Sequence, residues 1–178
     1  MKQISVSTDS DLYNFLKQII VAVVVFVSRF LKLAPNFSPL GSFGFFQKNV
    51  VLFFGQIIIF DWFFSGLYRG FIFTYLGFAS YYVLGRLAQN KLKKQIVFLP
   101  LASLLFFLLS NFGVWLYWYP STWSGLLACY LAALPFYRNT LLGDICFGGT
   151  TILLNLLSKN LKSCYKLNQF HKNVINNN

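Results

Sequence analysis

Between Lys94 and Arg138 the chain runs for 43 residues without a formal charge. One helix crosses a hydrocarbon core of roughly 30 Å with about 20 residues, so this stretch is long enough for two crossings. Tyr119-Pro120-Ser121-Thr122 lies near its middle, where proline ends one helix and Ser or Thr caps the next. The stretch reads as a hairpin of two apolar helices, residues 96–117 and 123–137. A third, residues 141–157, follows a polar corner at Arg138-Asn139-Thr140.

Three more apolar blocks precede this hairpin. Residues 15–33 form the weakest, because Lys17 and Arg29 leave 11 uncharged residues between them; long basic side chains snorkel to the interface from both ends. The next block lies between Lys48 and Arg69, and a short one covers residues 70–85. Pro35-Asn36-Phe37-Ser38-Pro39 separates the first two, its prolines forbidding a continuous helix. A chain with 57% hydrophobic residues, 22 Phe and only 11% charged residues cannot clothe a soluble core. The expected fold class is all-α: a polytopic membrane helical bundle of about six transmembrane helices. A transmembrane barrel requires alternation, which residues 96–109 lack.

The expected organisation is a polar leader at residues 1–14, a six-helix transmembrane domain at 15–158 and a basic, Asn-rich tail at 159–178. The net charge of +11 would suggest a nucleic-acid partner in a soluble protein. Here the basic residues flank apolar blocks, as headgroups and loops demand, and no nucleic acid is expected. Six spans put both termini on one side, and the Lys and Arg tally is then seven on that side against eight. Charge alone does not orient such a topology.

Few residues carry chemistry. His171, the only histidine, lies in the tail, so no Ser-His-Asp arrangement forms inside the bundle. Three cysteines without ligand spacing imply neither a disulfide framework nor a metal site, and no cofactor is expected. Asp61 and Asp144 differ, because an ionisable group at membrane depth implies function or a partner. Arg69 and Arg138 are the nearest cations in sequence. Paired intramembrane aspartates also raise peptide hydrolysis. Leu142-Gly143-Asp144 echoes the Gly-x-Gly-Asp motif of intramembrane aspartyl proteases, but Leu141 stands where the first glycine belongs.

Asn111 follows a long apolar run and offers an amide that is costly to bury without partners. Trp115, four residues on, shares its helix face. Trp115, Tyr117, Trp118, Tyr119 and Trp123 form an aromatic corner, suited to an interface belt or to a pocket wall. Gly125, Ala128, Cys129, Ala132 and Ala133 make a small-residue face along the following helix, which allows close approach of a neighbour.

The Pro35–Gly41 loop, Asp61, Ser110-Asn111-Phe112-Gly113-Val114-Trp115-Leu116, the Tyr119-Pro120 corner and the run from Gly125 through Asp144 together carry a resemblance. The chain resembles a functionally uncharacterised family of small bacterial multi-pass proteins labelled transport proteins. More loosely, it is similar to the substrate-binding S components of energy-coupling-factor vitamin transporters, which have six helices and cytoplasmic termini. Those components commonly carry an Ala-xxx-Ala docking motif in the first helix, whereas here it occurs as Ala128-xxx-Ala132. The resemblance implies a transport or substrate-binding component in the bacterial inner membrane, with the lipid bilayer, a small-molecule substrate and an energising membrane subunit as partners. A non-transporting membrane scaffold is the alternative, and the intramembrane protease a more distant one. The expected substrate site draws on Asn36, Asp61, Asn111, Trp115, Arg138, Asn139 and Asp144.

Overall fold

A computed structural model describes the backbone of residues 3–31, 34–89 and 91–176, and the side chains of residues 12–31, 34–89, 91–161 and Tyr165. Every regular element among these residues is helical. They are α1 (Gln3–Ser28), α2 (Leu40–Phe46), α3 (Val50–Phe60) with a wide π turn at Asp61–Ser65, α4 (Phe71–Ala88), α5 (Leu92–Trp118), α6 (Trp123–Gly143), a second π turn at Asp144–Gly148, and α7 (Gly149–Asn176).

Local chemistry sets several of these boundaries. The Asn49 side chain accepts the backbone N–H groups of Val51 and Leu52, closing the start of α3. Thr122 does the same for α6 through Gly125 N–H at 3.1 Å. Pro120 separates α5 from α6, as the sequence requires.

The Arg138-Asn139-Thr140 segment is a correction. It is interior to α6 rather than a corner, and Gly143, Asp144 and Gly149 all keep right-handed helical dihedrals. The blocks read as fifth and sixth spans are therefore one helical run interrupted by a π turn. None of the three residues at 138–140 breaks a helix strongly, whereas Pro135, tolerated inside α6, was the only real interruption signal.

Side-chain contacts fix the direction of each element. Lys17 and Gln18 of α1 share a cavity wall with Phe46, Gln47, Thr150 and Thr151, and the Tyr82 hydroxyl donates to Lys48 O at 3.0 Å. These residues define one end of the bundle. α1 rises from it, with Val25 buried beside Leu40, Phe53 and Ile57, until Phe30 meets Phe64. Residues 34–39 and α2 then descend inside the molecule to Gln47. α3 rises, α4 descends, α5 rises, and α6 with α7 descends to the first end again. The opposite end holds Gly66–Gly70 and the Tyr119 corner, where Gly70 closes on Tyr117.

At seven residues α2 is about 10 Å long, and Leu40, Gly41, Ser42, Gly44 and Phe45 are all buried. It reaches α4 because Gly85 has no side chain: a Cβ there would lie 1.8 Å from Phe45 O. Backbone cannot yield as a flexible side chain does, so Gly85→Ala is expected to lower stability by about 1–3 kcal/mol, the usual range for overpacking. Thermal unfolding of the purified variant measures this; an unchanged midpoint would mean that α2 does not lie against α4.

Outside the core the surface is apolar. Trp62, Phe63, Trp118 and Trp123 are each more than 60% exposed. Among the described residues, Leu92–Trp118 and Trp123–Leu161 are helices long and apolar enough to cross a membrane.

Candidate functional site

The most buried acid is held by three elements at once. Asp144, 1% exposed, opens the second π turn and accepts hydrogen bonds from the Tyr81 hydroxyl of α4 and the Ser103 hydroxyl of α5. A π turn adds one residue to a helical turn and is a recurrent device for re-aiming side chains at functional positions. Gly41 completes the arrangement, since a Cβ there would lie 2.8 Å from Asp144 Oδ1 and 2.7 Å from the Tyr81 ring. Both hydroxyls meet the same carboxyl oxygen, Oδ2. No cation pairs with it among the described residues.

The second acid has a different kind of partner. Asp61 Oδ1 lies 3.3 Å from Arg29 Nη2, and Asp61 Oδ2 accepts the Tyr75 hydroxyl at 3.0 Å. Arg29 also lies over the Phe60 ring, 3.6 Å from Cζ to the centroid, a cation–π contact that adds to the ion pair. Its other terminal nitrogen, Nη1, is buried and has no hydrogen-bond partner among the described residues. Tyr75 and Tyr81 stand six residues apart on α4, about 9 Å along its axis, so the acids they hold lie at different depths. No hydrogen bond joins Asp61 to Asp144 among the described residues, whereas a shared-proton dyad requires direct contact.

A cavity of about 360 Å³ connects the two centres. Arg29 borders it from the end of α1, Asn36 and Phe37 from the loop, Gly41 from α2, Phe60 from α3, Phe78 and Tyr81 from α4, Phe106 from α5, Thr140 from α6, and Asp144 from the π turn. Asn36 adopts φ of 63°, a left-handed conformation that Asn tolerates better than most residues. The walls thus combine an acid, a guanidinium and four phenylalanine rings.

The structure disperses the residues singled out from sequence. Asn36 and Asp144 line this cavity, and Asp61 stands behind it, holding Arg29. Asn111 lines a separate 220 Å³ cavity, together with Asn36 and Thr140. Asn139 Nδ2 donates to Pro35 O at 2.9 Å and so fastens the loop. Trp115 and Arg138 line neither cavity. Trp115 Nε1 donates to Pro120 O at 3.1 Å, and Asn111 Nδ2 donates to Phe107 O one turn back at 2.8 Å. Both N–H donors are used locally, and of the two residues Asn111 alone lines a cavity. Asp61 pairs with Arg29 rather than with its sequence neighbour Arg69, and Arg138 is exposed rather than beside Asp144. Nor does Asp144 begin a helix, because α6 runs into it.

Sequence reasoning missed Arg29, Gly41, Tyr75, Tyr81 and Ser103 as site residues. Arg29 alone had a usable signal: an arginine interrupting an apolar block needs an acid at the same depth, and Asp61 was available. The hydroxyls of Tyr75, Tyr81 and Ser103 carry no such mark, since those residue types are common in apolar helices.

No curated protein and no solved structure matches the chain. Residues 10–164 match the model of a family of unknown function, DUF6580. With most of its length covered by that model, the chain belongs to the DUF6580 family.

Proposed function

We propose that this protein is a multi-pass protein of the bacterial inner membrane that binds a small molecule, as the substrate-binding part of a transport system. The observation that carries this reading is the 360 Å³ cavity with Asp144 and Arg29 on its walls. Its volume falls within the range of small-molecule sites, and a few convergent polar groups among aromatic walls are what such sites require. Non-helical backbone at residues 34–39 is tolerated at membrane depth where it is buried in protein or lines a cavity. Here it does the latter.

Six passes follow if α1, the loop with α2, α3, α4, α5 and the α6–α7 run each traverse the bilayer. This set differs from the one read off the sequence, because the loop with α2 adds a pass and the last two blocks merge into one. The charge balance changes with it. Lys17, Lys48, Arg86, Lys91, Lys93 and Lys94 gather at the end from which α7 carries Lys159, Lys162, Lys166 and Lys172 away, while Arg29, paired with Asp61, and Arg69 mark the other end. Such asymmetry favours the Lys-rich end as cytoplasmic. Reporter fusions after Lys94 and in the tail are therefore expected on the same, cytoplasmic side, and a reporter in the 119–122 turn on the other. Opposite readings after Lys94 and in the tail would contradict this arrangement.

Exposed Ala128 and Ala132 on α6 offer a small-residue row against which a helix of an energising subunit can pack closely. The same row is what a scaffold would use, so ligand retention separates the readings. Mass spectrometry of small molecules released from the detergent-purified protein is expected to find one compound near equimolar amounts. An extract indistinguishable from that of an unrelated membrane protein would count against the binding reading.

A further inference from the structure

We infer that the ligand of this cavity is an organic ammonium compound with a hydrogen-bond acceptor at its far end and a flat apolar body between. The inference rests on the binding reading above and deepens it.

Charge accounting at the walls comes first. Arg29 and Asp61 neutralise one another at 3.3 Å. Asp144 has hydroxyl donors but no cation among the described residues. Asp144 is therefore the wall acid without a cationic partner among the described residues, and its charged form is costly there unless a cation joins it. A ligand cation against Asp144 supplies the missing counter-charge, and a neutral ligand does not. Tyr81 and Ser103 hold the carboxylate in place beforehand, so little reorganisation accompanies binding.

The other end of the ligand follows from Arg29. Phe60 and Asp61 fix the guanidinium on two sides, and Nη1 lacks an acceptor among the described residues. A carbonyl or carboxylate oxygen arriving through the cavity that Arg29 borders meets that need. Tyr75 and Tyr81, which hold the two acids, stand about 9 Å apart along α4, so the amine and the acceptor belong at opposite ends of the ligand. Phe37, Phe60, Phe78 and Phe106 supply the aromatic walls for the body. The volume, equal to about a dozen waters of bulk liquid, sets a ligand of roughly that many non-hydrogen atoms.

The probes are 4-(aminomethyl)benzamide, its uncharged isostere 4-(hydroxymethyl)benzamide, and benzylamine, which lacks the acceptor. Binding is read by ligand-observed NMR on the full chain in nanodiscs. Expected is a preference of at least about tenfold for 4-(aminomethyl)benzamide over the hydroxymethyl isostere, as charge-assisted hydrogen bonding gives. Benzylamine is expected to bind several-fold more weakly than 4-(aminomethyl)benzamide. Asp144→Asn, which keeps the side-chain shape, should remove the preference for the amine. The double variant Arg29→Met with Asp61→Asn, which leaves no lone charge, should remove the advantage over benzylamine. Equal binding of amine and alcohol by the wild type, or a preference surviving in Asp144→Asn, would overturn the inference. A neutral or anionic compound co-purifying in the cavity would overturn it too, while leaving the binding reading standing.

Discussion

Asp144→Ala is expected to lower stability by about 3–5 kcal/mol, the largest effect of any single substitution in this protein. The acid is the common acceptor for the Tyr81 and Ser103 hydroxyls. Removing it strands donors on α4 and α5 together, at a cost of about 1–3 kcal/mol for each buried group left unsatisfied. Tyr81 and Ser103 are themselves almost fully buried, so water does not replace the lost acceptor. Asp144→Asn should be milder, about 1–2 kcal/mol, because its carbonyl oxygen still accepts while its amide meets hydroxyls that can turn to accept in their place. Unfolding of the detergent-solubilised variants checks the order. If Ala and Asn proved equally mild, Asp144 would not be what ties α4 and α5 to the π turn.

Arg29→Met should cost about 2–3 kcal/mol. Breaking a buried ion pair from one side leaves an uncompensated charge and typically costs 3–5 kcal/mol. The side chains of Arg29 and Asp61 keep 17% and 14% of their exposure, so residual solvation trims the figure. Combining Arg29→Met with Asp61→Asn removes both charges, and Tyr75 can still donate to the Asn carbonyl. The double variant is therefore expected to recover all but about 1 kcal/mol, a coupling that a double-mutant cycle reads directly. If the two single losses simply added, Arg29 and Asp61 would not act as a pair in the membrane-embedded protein.

How much of this was legible beforehand follows from what each signal measures. The helical character and the boundaries of α5 and the start of α6 are written in long uncharged runs and in Pro120 and Thr122, because backbone hydrogen bonding and capping are local. The burial of α2 is not local. Leu40–Phe46 is short, and only its glycines, facing Tyr81, Phe53 and Asp144, hint that other backbones come close. The π turn was equally hidden: Asp144–Gly148 contains residues that suit a straight helix, and the extra residue is set by the reach of Asp144 towards Tyr81 and Ser103. Among site residues, acids in apolar sequence stood out on energetic grounds, so Asp61 and Asp144 were found. Their partners come from helices distant in sequence, and proximity along the chain pointed to the wrong arginines.

The central claim is that the cavity between Asp144 and Arg29 is a ligand site. Thr140 lines that cavity from α6, and Thr140→Trp should fill it from a partly buried position. Once a co-purifying compound is identified, its effect on the thermal midpoint of wild type and Thr140→Trp is the decisive comparison. Binding to the native state alone at 100 times Kd stabilises by about 2.7 kcal/mol, so the wild-type midpoint should rise by several degrees and that of Thr140→Trp should not move. An equal rise in both proteins would place the compound elsewhere and contradict the claim.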